Sequence, residues 1–172
     1  MQKISAIFLM VGALALSACN NPNGFGKGGA NGANGAGGIS GGALGDPSNP
    51  DSPAYFAQTL GDTVRFVVDQ STLTPEAQST LTQQAAWLVS HPAYTATIEG
   101  HADEQGTEDY NLALGARRAS AVQQFLISQG VVGTRLKTVS YGKLRPIATC
   151  ADESCFSQNR RAVTALAAGA GV

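Results

Sequence analysis

The stretch EGHADEQGTEDYNLALGARRA, residues 99–119, gathers five carboxylates and two adjacent guanidiniums in a chain of which only 13% of residues are charged. Four uses fit such a cluster: a solvated helix face, a metal site, a catalytic acid–base pair, or a receptor for a ligand of mixed charge. His101, Asp103 and Glu104 suggest metal or proton-transfer chemistry. The chain holds only two histidines, however, and a catalytic zinc usually takes three protein ligands with histidine or cysteine among them. No GxSxG, HExxH or phosphate-loop pattern occurs. His101 therefore reads as a structural residue at a strand end. No cofactor or metal is expected, and the chain is expected to bind and not to catalyse.

The remaining charges suit a receptor. Asp103 falls at the end of an alternating segment, and the loop after it feeds the N-terminus of a helix, where unpaired N–H groups and the dipole favour anionic groups. On that helix Asn111, Gly115 and Arg118 are spaced by four and three residues, so they share a face, with Gly115 leaving its middle open. An acceptor for an ammonium then stands across a gap from a guanidinium that can grip a carboxylate through two parallel hydrogen bonds. Such a pair describes a zwitterion site. From these residues alone, an exposed ion pair worth about 0 to 1 kcal/mol is the competing reading.

Strands and helices alternate around these residues. TVRFVV, from Thr63, is a β-rich run. TPEAQSTLTQQAAWLVS opens with Thr74 as N-cap and Pro75 at the first helical position. Its apolar stripe is Ala77, Leu81, Ala85, Leu88 and Val89, and Trp87 belongs to core or rim. YTATIEGHA alternates as a strand. The following helix presents Leu112, Ala116, Ala119, Val122 and Leu126 and stops at Gly130. LKTVSYG and RRAVTALA are further strands, separated by a loop or short helix that carries Cys150 and Cys155. The expected fold is α+β, in the order βαβαβ, loop or short helix, β, with two main helices packed on a mixed sheet.

The ends belong to something else. MQKISAIFLMVGALALSAC has a short positive start at Lys3, an apolar core from Ile4 to Leu16 and small residues after it, the layout of an export signal. A membrane-spanning helix needs roughly 20 apolar residues, more than this run supplies before Cys19 and the polar segment beyond it. Leu16-Ser17-Ala18-Cys19 is similar to the lipobox of bacterial lipoproteins, which makes Cys19 the expected lipidation site. Several acyl chains anchor stably where one binds only marginally, and Asn20, in place of a retention aspartate, favours the outer membrane. Eleven glycines between Gly24 and Gly45 then read as a tether. The expected organisation is a signal peptide over 1–18, a lipidated cysteine and flexible tether over 19–53, and a periplasm-facing domain over 54–172. The net charge of −1 excludes the basic surface that nucleic acid requires. Export also places Cys150 and Cys155 in an oxidising compartment. With Cys19 consumed by lipid they form an even pair, so they are disulfide candidates, with two free thiols as the alternative.

TIEGHADEQGTEDYNLALGARRASAV, VSYGKLRP and SQNRRAV resemble the OmpA-like peptidoglycan-binding domain over residues 60–167, and FVVDQS matches the strand and turn that open it. The Cys150 to Cys155 loop is not part of the general family pattern. The resemblance implies a non-covalent cell-wall anchor whose ligand is the meso-diaminopimelate of the peptidoglycan stem peptide. The residues matching Asp103 and Arg118 hold its ammonium and carboxylate, with Asp69, Asn111, Asn159, Arg160 and Arg161 as further positions. It also implies a TolB-like β-propeller partner in the Tol system, where such lipoproteins draw the outer membrane inward during division. The alternatives are a cell-wall anchor outside that system, a flagellar stator protein, which needs an uncleaved membrane helix, and a cell-wall hydrolase.

Overall fold

The computed structural model describes residues 45–168. The signal peptide, Cys19 and most of the tether lie outside them. The packed body begins earlier than residue 54. Ser52 is buried and caps α1 (Pro53–Tyr55) by accepting the Tyr55 N–H at 3.0 Å, and a π-helical segment, Phe56–Gly61, follows. The Trp87 indole N–H donates to the Pro50 carbonyl at 2.7 Å. Residues 50–52, read from composition as tether, thus seal one side of the core.

The order continues β1 (Thr63–Arg65), α2 (Pro75–Ser90), β2 (Tyr94–His101), α3 (Glu108–Ser128), β3 (Leu136–Gly142), α4 (Glu153–Asn159) and β4 (Arg161–Ala168). The sheet runs β1-β4-β2-β3. β2 and β3 are parallel, joined by α3, while β4 lies antiparallel to both β1 and β2. β4 is therefore inserted between two strands of like direction, which makes the sheet mixed. β1 is shorter than the TVRFVV run because the chain leaves the sheet after Arg65, towards the loop that carries Asp69.

Local chemistry explains the helix starts. The Thr74 hydroxyl accepts the Ala77 N–H at 3.2 Å with Pro75 behind it, and the Thr107 hydroxyl accepts that of Tyr110 at 3.3 Å. Each satisfies a donor that a helix N-terminus otherwise leaves unpaired. Both helices pack on one face of the sheet, around Phe56, Leu81, Leu88, Ile98, Val122, Leu126 and Leu136. Trp87 is in this core, 6% exposed, edge-on to Phe56 and stacked on His91.

Two apolar stripes differ from the periodicity. Val89 is 50% exposed and its place is taken by Gln84, which donates to the Gly61 carbonyl and accepts from the Thr164 hydroxyl. On α3, Leu112 and Ala116 face solvent and the buried face is Asn111, Leu114, Gly115, Arg118, Ala119, Val122 and Leu126. The helix is rotated by one residue at its first two turns because polar residues, held by specific bonds, occupy the inward side.

Gly115 corrects a further expectation. A Cβ there would meet the Ser140 Oγ at 2.4 Å and the Gly100 carbonyl at 2.8 Å. The missing side chain does not open a ligand gap. It lets α3 lie directly on β2 and β3, a close backbone approach that only glycine allows.

Candidate ligand-binding site

Three segments meet beyond the C-terminal end of β2 and enclose a cavity of about 290 Å³. The loop after β1 contributes Val68 and Asp69, the loop after β2 contributes Asp103, Gln105 and Gly106, and α3 contributes Tyr110, Asn111 and Leu114. Asp69 has φ 58° and Gly106 has φ 89°, a region that glycine reaches freely and aspartate more readily than most residues. These two reversals bring the loops face to face. The Tyr110 hydroxyl donates to Asp69 Oδ1 across the mouth, and this bond raises the phenol above its ordinary pKa. Asn111 Nδ2 donates to the Gln105 carbonyl at 2.8 Å, and Lys143 Nζ to that of Gly106 at 2.8 Å, so the β2–α3 loop is held from both sides.

Asp103 is 7% exposed. Its Oδ2 accepts from Arg160 Nη1 at 3.0 Å and its Oδ1 from the Gln105 N–H at 3.3 Å. A carboxylate has about four lone-pair sites, so acceptor capacity is left on the wall of the cavity. Arg160 is itself buried. It also donates to both oxygens of Glu153 and, through Nε, to the Phe66 carbonyl at 3.4 Å. The Glu153 carboxylate, and then Asp103, hold the Arg160 guanidinium above its usual pKa, and Arg160 lowers Glu153 in return.

Arg118 is placed differently from the presented fork. It is 0% exposed and does not line the cavity. Nε donates to the Gln70 carbonyl at 2.8 Å, Nη1 to that of His101 at 2.8 Å and Nη2 to that of Val67 at 3.2 Å. The guanidinium carbon sits 5.2 Å over the Phe66 ring. Arg118 thus ties the Asp69 loop to the end of β2. Among the described residues no carboxylate oxygen lies within 4.0 Å of it. Burial lowers its pKa to about 10, with Asp103 opposing, so the charge persists at neutral pH. With five N–H donors and three used, one on each terminal nitrogen has no partner among the described residues.

Asn159 is fully buried and saturated. Its Oδ1 accepts the Ile147 and Ala148 N–H groups, and its Nδ2 donates to Glu104 Oε1 at 2.7 Å and to the Ala148 carbonyl. It supports the site from behind. Arg161 donates to the Asn159 and Arg145 carbonyls. Asp69, Asp103 and Asn111 therefore share the cavity wall, Arg118 and Arg160 brace it, and Asn159 and Arg161 hold the loop beyond. Cys150 and Cys155 are bonded, with Cα atoms 5.5 Å apart. Sequence reasoning missed Tyr110 and Glu153. Glu153 stands seven residues before Arg160, two helical turns away, a spacing that carried a signal only once the segment was treated as helix.

The OmpA family model matches residues 65–160. Over the whole chain, the peptidoglycan-associated lipoprotein of Agrobacterium fabrum is 48% identical, with 94% of its own length covered. The chain belongs to the OmpA family, among the peptidoglycan-associated lipoproteins. That of Mesorhizobium japonicum is 57% identical over 67% of this chain and 68% of its own length. The crystal structure of the peptidoglycan-associated lipoprotein from Burkholderia pseudomallei superposes with TM-score 0.63 at 39% identity, covering 71% of this chain and all of that one. These lipoproteins are named for an association and not for a reaction, in keeping with a non-enzymatic OmpA-family domain.

Proposed function

We propose that this chain is an outer-membrane lipoprotein that binds peptidoglycan without cutting it, anchored through Cys19 and tethered by its glycine-rich segment. The ligand is the stem-peptide diaminopimelate, whose free end carries an ammonium and a carboxylate on one carbon. The observation that carries the reading is the arrangement of opposite charges. Two carboxylates, Asp69 and Asp103, line a small cavity, and behind it lies a buried guanidinium, Arg118, with no carboxylate partner among the described residues. The carboxylates suit an ammonium, and the Arg118 charge, which Asp103 and Asp69 offset only from a distance, favours an anion close by, since a buried charge is costly until paired. Because the Arg118 donors are covered, direct two-bond contact with the ligand carboxylate requires the Val67–Gln70 loop to shift. Val67 and Val68 are about half exposed, so what holds the loop is chiefly the Arg118 bonds to the Val67 and Gln70 carbonyls, which a ligand carboxylate on the same guanidinium would replace. A TolB-like β-propeller partner, and action in envelope constriction, follow from the family resemblance and belong to the same proposal.

The test is co-sedimentation of the purified full chain, in mild detergent, with isolated sacculi. The protein is expected in the pellet with no soluble muropeptides released. Protein left in the supernatant would overturn the binding reading, and muropeptide release would replace it with a hydrolase.

A further inference from the structure

Asp103 faces the cavity with a cation at its back, and a fully committed Arg160 would cancel the charge that an ammonium needs. The structure divides Arg160 instead. Its Nη1 donates to Asp103 Oδ2 at 3.0 Å and to Glu153 Oε2 at 3.3 Å, and its Nη2 donates to Glu153 Oε1. Two oxygens of Glu153 compete with one of Asp103. Glu153 lies outside the cavity lining and its side chain is 63% exposed, so neither packing nor ligand contact accounts for its aim.

The element that holds Glu153 is itself fixed. Glu153 opens α4, whose N-cap, Asp152, accepts the Ser154 N–H at 2.9 Å. The Cys150–Cys155 disulfide closes the loop around that cap, and the buried Cys155 Sγ accepts the Cys150 N–H at 3.1 Å. A seven-residue helix has little stability of its own, so the cross-link and the cap together set where the Glu153 carboxylate points.

We propose that Glu153 is a positioning residue for the cavity: it draws the Arg160 charge away from Asp103 and so keeps Asp103 able to take a ligand ammonium, with the disulfide holding Glu153 in place. The inference rests on the reading of the cavity as a zwitterion site. Without the Glu153 charge, Arg160 turns wholly to Asp103, the potential at the cavity wall rises, and an ammonium is bound less well. A ligand whose amino group carries no charge does not feel the difference.

The test is calorimetric titration of the full chain in detergent with a diaminopimelate-containing stem tripeptide, and with the same peptide acetylated only at the D-centre amino group of its diaminopimelate. Glu153→Gln is expected to weaken binding of the unmodified peptide about fivefold, the worth of one partly exposed ion pair. Glu153→Asp should recover part of it. The acetylated peptide should bind weakly and equally to the parent and to Glu153→Gln. The double variant Cys150→Ser/Cys155→Ser should weaken binding in the same sense, with little further loss when Glu153→Gln is added. Equal binding of the unmodified peptide by the parent and Glu153→Gln overturns the inference and leaves the cavity reading intact. An equal loss for both peptides assigns Glu153 a merely structural role and also overturns it. A parent chain that binds neither peptide removes the cavity reading and this inference together.

Discussion

Replacing Arg118 by lysine keeps the positive charge and removes the fork. A guanidinium that only faced a ligand would lose affinity and no stability. The structure predicts a loss of both, because Arg118 is fully buried and its donors hold the Gln70, His101 and Val67 carbonyls. A lysine ammonium is a point donor on a flexible stem and can replace at best one or two of these bonds. Each hydrogen bond to a charged group contributes about 1.5–3 kcal/mol, and water entering beneath the half-exposed Val67 and Val68 offsets part of the loss. The expected net cost is about 2–4 kcal/mol, or on the order of 10 °C in Tm for a folded body of this size. Urea unfolding followed by the fluorescence of Trp87, the single tryptophan, reads it directly, since that ring is 6% exposed in the core. A midpoint equal to that of the parent at unchanged slope would refute the bracing role, whatever happened to binding.

Three further outcomes are expected. Gly115→Ala should destabilise by about 1–3 kcal/mol despite its better helix propensity, because the added Cβ would lie 2.4 Å from Ser140 Oγ and 2.8 Å from a strand carbonyl; thermal unfolding checks it, and a rise in Tm would contradict the close-approach argument. His101 is 1% exposed, its ring nitrogens make no hydrogen bond among the described residues, and burial first, then Arg161 and Arg145, lower its pKa from 6.5 to about 4. The unfolded chain therefore binds the proton more tightly between those values, and the stability present above pH 6.5 declines towards pH 4 by up to about 3 kcal/mol; unfolding measured across that range should show a slope that His101→Phe flattens. Cys19→Ser should abolish acyl labelling and stable retention in the outer membrane, and unchanged labelling would move the anchor elsewhere.

Much of the fold was legible because local and tertiary demands agree in it. Thr74 starts α2 where capping chemistry requires, and the alternating segment YTATIEGH is β2, paired along its length with β4. The misread stripes are where the two demands part. Leu112 and Ala116 continue the apolar period of α3, yet Asn111 and Arg118 take the buried side because loop carbonyls need their donors. A hydrophobic period cannot register a polar residue that is buried for its hydrogen bonds. Types and spacing singled out Asp103 and Arg118, and the family resemblance made them the candidate pair, but neither could say that one lines the cavity while the other lies buried behind it. Tyr110 meets Asp69 across 41 positions of sequence, a contact that exists only once the loops have folded. Gly115 was noticed for the right property and given the wrong purpose, since the absence of a side chain is silent on what fills the space.

The central claim is that the cavity reads an ammonium and a carboxylate on one carbon. Titrating the full chain with stem tripeptides that carry diaminopimelate, its amidated form, or lysine tests this most directly. The account predicts saturable binding of the first, marked loss with the other two, which lack the free carboxylate, and loss of all binding in Asp103→Ala. Equal affinity for the three peptides, or unaltered binding in Asp103→Ala, would contradict it.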